Sequence, residues 1–347
     1  MAPKKIILRC DSSENIGTGH VMRCLSLAEK LRNHEVIFVT RDFAININKT
    51  IKERQFKLLT LPPPKSPIDS WLGVPPEKEL TEFTEILRQE RPSWVIADHY
   101  GLNQTWEQES LKFAPNLLII DDLFREHSAT HLLDQNFHLN HTEQWKSKLS
   151  ADCKTFLGPR YALLSQDFLN LFPGKLKQGD VKKVIAFFGG SDVAMGSELF
   201  IKAWENAGIH TAKALLVIGK VNSRSNALLS KHVKNLDITF SSSEFSKWLK
   251  EADLFVGAGG TTTWERCALG TPGLIISIAQ NQEAIASDLH LSGIQEYLGS
   301  IEQVTATSLS ENLKRICQDH DLRKKFSQKS LDLKVGSSIS ELIAIFD

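Results

Sequence analysis

Short apolar runs alternate with amphipathic stretches along almost the whole chain, and this alternation restricts the fold more than any other feature. The runs are rich in Val, Ile and Leu without polar alternation, which is typical of parallel strands buried on both faces. The stretches between them have apolar residues at helical spacing, as in Val21, Leu25 and Ala28. The pattern predicts an α/β protein with doubly wound parallel sheets. Strands are expected at 5–9, 35–40, 56–61, 94–97, 117–120 and 131–133, and again at 183–188, 214–218, 237–240, 254–257, 273–277 and 295–298.

The chain is long enough for two domains, because its 347 residues exceed what one hydrophobic core usually supports. The segment Phe172–Asp180 interrupts the alternation with Pro, Gly and charged residues, and we therefore place an interdomain linker there. Residues 1–172 and 181–347 are predicted to form two Rossmann-like domains. Helices are expected at 21–33, 45–54, 77–90, 105–113, 194–206, 227–234, 245–251, 262–269, 281–291 and 308–319, with one or two more within 321–347.

Charge and cysteine content restrict the partners and the compartment. Lys plus Arg and Asp plus Glu both number 41, so the net charge of zero argues against nucleic acid or an anionic membrane as partner. The five cysteines form no Cys-x-x-Cys pair, which predicts reduced thiols and no zinc site. No apolar run reaches the roughly 18–20 residues of a membrane span, and the N-terminal run is too short for a signal peptide. We expect a soluble, cytoplasmic protein.

The stretch Asp11–Arg23 links the first predicted strand to the first predicted helix. Gly17 and Gly19 allow a tight turn and the close approach of a ligand to the backbone. His20 then lies in the first helical turn, where the helix dipole disfavours a protonated imidazole, so a neutral ring that can act as a general base is expected. The alternative is a capping or pocket-wall histidine without chemistry. Met22 at the third glycine position excludes the dinucleotide fingerprint, and no Gly-Lys-Ser/Thr follows as in a P-loop.

Polar side chains follow several predicted strands, at the edge where open α/β sheets bind ligands. Asp11 follows the first strand, Asp98-His99-Tyr100-Gly101 follows the fourth, and Asp121-Asp122 follows the fifth. This coincidence favours a pocket between two facing sheet edges. For the pair Asp121-Asp122 we favour hydrogen-bonding roles over a metal site, since two adjacent carboxylates are weak evidence for a metal. The proline-rich segment 61–76 is expected to form a long loop in the binding region.

In the second half, Gly259-Gly260-Thr261 opens a predicted helix whose first turn offers free backbone N–H groups, a geometry suited to phosphate. The alternative is that the threonines only cap the helix. Gly190-Ser191 is a second, weaker instance, and two anion-binding loops suggest a diphosphate. Glu265 in the following helical turn can accept hydrogen bonds from ribose hydroxyls, or it can be a solvated partner of the helix dipole.

Taken in order, six motifs resemble a known family, the UDP-2,4-diacetamido-2,4,6-trideoxy-β-L-altropyranose hydrolases of pseudaminic acid biosynthesis. The resemblance extends over about residues 5–293. The motifs are Asp-Ser-Ser-x-x-Ile-Gly-x-Gly-His-x-x-Arg, Asp-His-Tyr-Gly, Asp-Asp with a later Leu-Leu-Asp-Gln-Asn, Gly-Gly-Ser-Asp, Trp-Glu-Arg with Leu-Gly-x-Pro, and Asn-Gln-Glu.

The resemblance implies a GT-B fold like that of the MurG glycosyltransferase, with two Rossmann-like domains facing across a cleft. It also implies hydrolysis that needs neither metal nor cofactor and releases UDP with inversion at the anomeric carbon. His20 would be the general base. Tyr100 would line the sugar side, and Glu265, Asn281 and the glycine loop at Gly190 would bind the UDP side. With Gly19, Ser191 and the phosphate-loop residues Gly260 and Thr261, these are the predicted substrate-binding residues.

Two other functions fit the same sequence, a GT-B glycosyltransferase with a sugar or lipid acceptor and a non-catalytic protein that binds sugar nucleotides. One position departs from the family: Ser165 stands where relatives have an arginine that contacts the substrate, and Arg160 is a candidate substitute. The exact sugar and the oligomeric state therefore stay open.

Overall fold

The computed structural model describes residues 2–65, 70–190, 192, 195–219 and 224–347. Its contacts divide the chain into a first unit of residues 1–136, 140–163 and 337–347 and a second unit of residues 137–139 and 164–336. These units differ from the predicted domains, because 164–172 join the second unit and the C-terminal residues join the first. Phe346 explains the latter, since its ring packs 4.5 Å from that of Trp94 in the first unit.

The first unit is built on a seven-stranded parallel sheet with the strand order β3-β2-β1-β4-β5-β6-β7. Its strands are β1 Lys5–Cys10, β2 Glu35–Arg41, β3 Lys57–Leu61, β4 Trp94–Asp98, β5 Asn116–Ile120, β6 His131–Asp134 and β7 Lys154–Leu157. Its helices are α1 Gly19–Lys30, α2 Asn48–Glu53, α3 Pro76–Glu90, α4 Gln104–Leu111, α5 His141–Lys146 and α14 Ile339–Ile343. Alternate residues of β1 point to opposite faces: Ile6 and Leu8 join the core under α1 and α14, and Ile7 joins the core under α3 and α4.

The second unit has a six-stranded parallel sheet with the strand order β10-β9-β8-β11-β12-β13. Its strands are β8 Lys183–Phe187, β9 Lys213–Ile218, β10 Leu236–Phe240, β11 Leu254–Ala258, β12 Gly273–Ser277 and β13 Glu296–Ser300. Its helices are α6 Gln166–Leu169, α7 Gly196–Ala207, α8 Ser225–Leu229, α9 Phe245–Glu251, α10 Thr262–Leu269, α11 Glu283–Leu291, α12 Ala306–Gln318 and α13 His320–Asp332. The largest core cluster packs Phe200 and Trp204 of α7 with Leu313 of α12 against the sheet.

The predicted α/β class with two doubly wound parallel sheets is confirmed. Strand order reverses between β1 and β4 in the first unit and between β8 and β11 in the second, and ligands of such sheets bind at this switch point. All five cysteines are free, as predicted. Among the described residues, no helix has both the length and the apolar character needed to cross a membrane.

Candidate functional site

The candidate base lies at the switch point of the first unit. After β1 the chain turns through Gly17, which has φ +77° and donates its N–H to the carbonyl oxygen of Ser13 at 2.8 Å. Helix α1 then begins at Gly19, so His20 lies in the first turn as the sequence predicted. The His20 side chain keeps 9% of its surface exposed. The ring is therefore sheltered at the carboxyl edge of the sheet without being sealed in the core.

Asp98, the last residue of β4, contacts the His20 ring. Its Oδ1 lies 2.6 Å from Nδ1 of His20, and β1 and β4 are paired so that Cys10 stands beside Asp98. A carboxylate can only accept, and it lies closer to Nδ1 than the donor Nη2 of Arg23 at 3.3 Å. We therefore assign the proton to Nδ1, which leaves the lone pair of Nε2 available for a proton. No described residue forms a hydrogen bond with that Nε2. The ring is thus oriented as a proton acceptor.

Arg23, one turn further along α1, binds the same carboxylate through two nitrogens. Its Nη2 lies 2.6 Å from Oδ1 of Asp98, and its Nε donates to Oδ2. Burial opposes ionisation of Asp98, but the charge of Arg23 outweighs it and holds the pKa of this carboxyl well below its usual range. Asp98 is therefore an anion at all physiological pH values, and its negative charge lies directly beside the His20 ring.

Tyr100, which was predicted to line the sugar side, has its ring next to that of His20. The two rings meet edge to face with centroids 4.8 Å apart. The Tyr100 hydroxyl donates to Oδ1 of Asp122 at 2.6 Å, and Asn136 donates to the other oxygen of that carboxylate at 2.7 Å. Burial raises the pKa of Asp122. The hydroxyl of Tyr100 is therefore directed to Asp122, and the ring forms one wall beside His20.

Asp121 and Asp122 both have the hydrogen-bonding roles that the sequence favoured. Asp121 accepts the backbone N–H of Leu123 at 2.8 Å and is bound by Arg125 through Nε at 2.8 Å. Arg125 also donates to the carbonyl oxygens of Tyr100 and Leu102 at 2.8 and 2.7 Å. This arrangement fixes the loop that follows β4.

Trp71 adds a second aromatic ring that the sequence did not single out. It lies in the loop that was expected in the binding region, with its ring centroid 5.8 Å from that of His20 and 4.9 Å from that of Tyr100. The side chain is 38% exposed. A Cβ atom at position 101 would lie only 3.0 Å from Cβ of Trp71. The loop that carries Trp71 can approach the segment after β4 so closely because residue 101 is glycine.

Asp11 has a structural role. Both of its carboxylate oxygens are bound by Arg9 at 2.6 and 2.8 Å, and one also accepts the backbone N–H of Arg41 at 2.6 Å. Nε2 of His99 lies 3.1 Å from the other oxygen. These groups are buried and belong to a charge network that extends through Arg9 to Glu79 of α3.

In the second unit, Gly260 and Thr261 connect β11 to α10 at the switch point. Thr261 is the N-cap residue of α10, and its side chain forms no capping hydrogen bond. This observation favours the phosphate interpretation over threonine capping. The Gln282 side chain lies beside Gly259 and Gly260, which brings the exposed residue Asn281 to the same edge. Three of the predicted UDP-side residues therefore lie on neighbouring loops.

Glu265 is half-buried in the first turn of α10. Burial raises its pKa to about 7, although a hydrogen bond from Thr262 acts in the opposite direction. Among the described residues, no cationic side chain forms an ion pair with it. A partly desolvated carboxyl without a cationic partner does not fit the solvated dipole interpretation and suits a group that accepts hydrogen bonds from a ligand.

The second predicted phosphate loop, Gly190-Ser191, lies shortly before helix α7. Helix α7 begins at Gly196, and Asp192 already accepts the first-turn N–H groups of Gly196 and Ser197 at 2.8 and 3.0 Å. These two amides are therefore not available to a ligand, and the substrate contacts predicted for Gly190 and Ser191 stay predictions. Gly190 instead packs against the backbone of Gly219. Ser191 lies outside the described residues.

Arg160, the suggested substitute for the missing arginine, stacks over the Tyr161 ring at 4.7 Å. Tyr161 in turn donates its hydroxyl to Glu341 at 2.8 Å. These contacts place Arg160 against the C-terminal segment. Ser165 precedes α6 in the second unit.

Sequence reasoning missed the roles of three residues beside His20. Arg23 had a usable signal, because its spacing of three from His20 places both side chains on one face of a helix. Asp98 was noted at a strand end, but its contact with His20 depends on β1 and β4 being neighbours, which only the strand order reveals. Trp71 had no signal beyond its place in a proline-rich loop.

No known protein-family profile matches this chain. Three curated proteins are distantly similar in sequence. The chain is 24% identical over 322 residues to an uncharacterised protein of Methanocaldococcus jannaschii, with 88% of this chain and 61% of that protein covered. It is 23% identical over 303 residues to the UDP-2,4-diacetamido-2,4,6-trideoxy-β-L-altropyranose hydrolase of Campylobacter jejuni, with 84% and 98% covered. It is 23% identical over 203 residues to the spore coat polysaccharide biosynthesis protein SpsG of Bacillus subtilis, with 57% and 59% covered. The chain thus spans about three-fifths of two of these relatives, and its resemblance to the hydrolase is confirmed as a distant one.

Solved structures with the GT-B fold of glycosyltransferases are similar over the full chain. MurG of Acinetobacter baumannii has a TM-score of 0.65 at 14% identity, with 99% of this chain and 100% of that chain covered. LpCGTa, solved in complex with UDP, has a TM-score of 0.68 at 14% identity, with 100% and 99% covered. At this level of identity the likeness establishes the fold, and it confirms the predicted GT-B class.

Proposed function

We propose that this protein hydrolyses a UDP-linked diacetamido-trideoxy sugar, with inversion at the anomeric carbon, in nonulosonic (pseudaminic) acid biosynthesis. The observation that carries the proposal is the contact of His20 Nδ1 with Asp98 at 2.6 Å, at the switch point of the first sheet. The distant similarity to the Campylobacter jejuni hydrolase over 98% of that protein supports the choice of substrate.

In this mechanism His20 activates water. A water oxygen attacks the anomeric carbon and its proton passes to Nε2 of His20, while the bond from that carbon to the UDP oxygen breaks and its electron pair leaves with the diphosphate. The imidazolium that forms is stabilised by Asp98, which Arg23 keeps ionised. The proton then returns to solvent, and the products are UDP and the free sugar.

In this proposal the second unit binds the nucleotide. Backbone N–H groups at Gly260 and Thr261 meet the diphosphate at the start of α10, where the helix dipole favours negative charge. Glu265 accepts hydrogen bonds from the ribose, and Asn281 lies on the adjoining loop. Gly190, Ser191 and Gly19 complete the proposed substrate contacts. In this proposal the amides at the start of α10 stabilise the charge that develops as UDP departs, so the reaction needs no metal or cofactor.

Incubation with UDP-2,4-diacetamido-2,4,6-trideoxy-β-L-altropyranose and with UDP-N-acetylglucosamine, followed by NMR, tests the reaction. We expect UDP release without an acceptor, faster for the first sugar, and an inverted anomer in the first turnovers. Full activity in excess EDTA is expected as well. Loss of activity in EDTA would show a metal requirement, and binding without UDP release would indicate a non-catalytic sugar-nucleotide protein.

One observation favours a second function, a GT-B glycosyltransferase with an apolar acceptor. Large apolar side chains after three strands of the first sheet are exposed, namely Met22, Ile45 and Leu123 at 40%, 44% and 38%. Scattered apolar residues are ordinary on protein surfaces, but three at one sheet edge suit an apolar acceptor. UDP release that depends on an added acceptor would support this function over hydrolysis.

A further inference from the structure

We propose that Trp71 is the platform on which the sugar ring of the substrate lies, and that it selects pyranoses with an apolar C–H face. This inference rests on the proposed function, because it assigns the sugar to the surface beside His20. It adds a residue that contacts the substrate and sets its specificity.

The placement of the indole supports a binding role. Its plane stands nearly perpendicular to the rings of His20, Tyr100 and His99, at 82°, 74° and 82°. These edge contacts are favourable for aromatic pairs and hold the indole directly beside the candidate base. Nevertheless 38% of Trp71 stays exposed, although burial of so large an apolar surface would stabilise the fold.

Contacts fix the turn of residues 70–73, which carries Trp71. A side chain at Gly101 would lie 2.8 Å from Cγ of Leu72, so the loop rests against the segment that follows β4. Gly73 has φ +66° and donates its N–H to the carbonyl oxygen of Ser70 at 3.1 Å. A rigidly positioned aromatic ring loses little entropy when a ligand stacks on it.

The chemistry of the site indicates the ligand class. A pyranose ring presents C–H groups on its faces, and an indole offers a broad apolar surface to them. A hydroxyl pressed against the indole would lose its hydrogen bonds with water, whereas a deoxygenated carbon or an acetamido methyl would not. Trp71 is therefore expected to favour N-acylated, deoxygenated sugars over fully hydroxylated hexoses.

Kinetics of Trp71→Ala and Trp71→Phe test the proposal, with Phe240→Ala as the matched control. Phe240 is an aromatic residue at the end of β10 in the second unit, with the same exposed fraction of 38% and no role in the proposed site. With UDP-2,4-diacetamido-2,4,6-trideoxy-β-L-altropyranose we expect Trp71→Ala to raise KM about tenfold, the effect of 1.4 kcal/mol of lost binding energy. We expect Trp71→Phe to recover most of the loss, and Phe240→Ala to behave as wild type. Kd for UDP alone should stay within about twofold in all three variants.

Calorimetric Kd values for UDP and for the same UDP-sugar keep this test independent of the hydrolase proposal. If the wild type releases no UDP, hydrolysis is refuted. The Kd for UDP divided by the Kd for the UDP-sugar still measures how much the sugar contributes to binding. If Trp71 is the platform, Trp71→Ala lowers this ratio and Phe240→Ala does not. An unchanged ratio in Trp71→Ala, an equal loss in Phe240→Ala, or a wild type that binds both ligands equally would overturn the proposal.

Discussion

Single residues give His20 its chemistry, and Arg23 is the one whose effect is easiest to isolate. It binds Asp98 through two nitrogens and lies 3.9 Å from Asp122, so it compensates two carboxylates beside the base. A guanidinium makes this paired contact through its planar fork, which an ammonium cannot reproduce. The Asp98 carboxylate therefore depends on Arg23 for its orientation as well as its charge.

We predict that Arg23→Lys lowers kcat by tenfold or more while the Kd for UDP stays unchanged. The physical reason is that Asp98 is free to rotate away from Nδ1 of His20 when only one hydrogen bond holds it. Arg23→Ala should in addition destabilise the fold by about 3–5 kcal/mol, because it leaves a buried carboxylate without its cation. Wild-type kcat in Arg23→Lys would contradict the positioning role.

Glu265 allows a test of electrostatics in the second unit. Because burial raises its pKa to about 7, the folded state keeps a proton that the unfolded state loses near pH 4.5. Its contribution to the free energy of unfolding therefore falls as the pH rises from about 4.5 to 7, and the full penalty is present above pH 7.

We predict that Glu265→Gln stabilises the protein by about 1–3 kcal/mol at pH 8, at about 1.4 kcal/mol per unit of pKa shift with allowance for partial exposure. At pH 4 the two proteins should unfold at the same temperature. Thermal unfolding at both pH values measures the difference, and an equal gain at both would exclude the electrostatic cause. A carboxyl that opposes stability at neutral pH is characteristic of a functional site.

Elements were predictable wherever a strand is a pure apolar run. The ends of β1, β4 and β12 fall within one residue of the sequence expectation because their residues are buried on both faces. Three short elements were not expected, because none has a periodic pattern. Each buries a single side chain: β7 buries Phe156, α5 buries Trp145 and α6 buries Phe168. Helix α7 begins two residues later than predicted. Met195 at its N-cap position has a left-handed backbone conformation, and the Asp192 carboxylate accepts the N–H of Gly196, the first helical residue.

A buried charge cluster attaches the loop after β5 to helix α4. Because Tyr100 lies between β4 and α4, this cluster helps to hold the Tyr100 segment in place. Nδ1 of His127 lies 2.6 Å from Oε1 of Glu107, and its Nε2 lies 3.6 Å from Oδ1 of Asp121. Burial lowers the proton affinity of His127, but the two carboxylates outweigh it and raise its pKa. Protonated His127 thus links two elements that flank the Tyr100 segment.

We predict that the wild type loses stability as the pH rises through this raised pKa, and that His127→Gln loses much less over the same range. The sign follows from linkage: the folded state binds the proton more tightly, so the stabilisation is complete below about pH 6.5 and disappears at higher pH. Urea unfolding of both proteins from pH 5 to 9 measures it. Parallel curves would mean that the cluster does not titrate in this range.

At the scale of the whole molecule, the arrangement of the strands explains which features of the site the sequence could predict and which it could not. Two parallel sheets and ligand loops at their carboxyl edges were predictable, because apolar runs ending in glycine or acidic residues recur in both halves. The contact of His20 with Asp98 was not, since the two are 78 residues apart and meet only because β1 and β4 are paired. The return of the C-terminal segment to the first unit also depends on tertiary packing.

The central claim is that His20, oriented by Asp98, removes the proton from the attacking water. The most direct measurement is single-turnover UDP release by His20→Ala, with the exposed His210→Ala as control and with Kd for UDP measured on the same proteins. Positioned general bases typically contribute 10²–10⁴-fold, so we expect the rate to fall by that factor in His20→Ala, with UDP binding unchanged and His210→Ala at the wild-type rate. A wild-type rate of UDP release by His20→Ala would contradict the account.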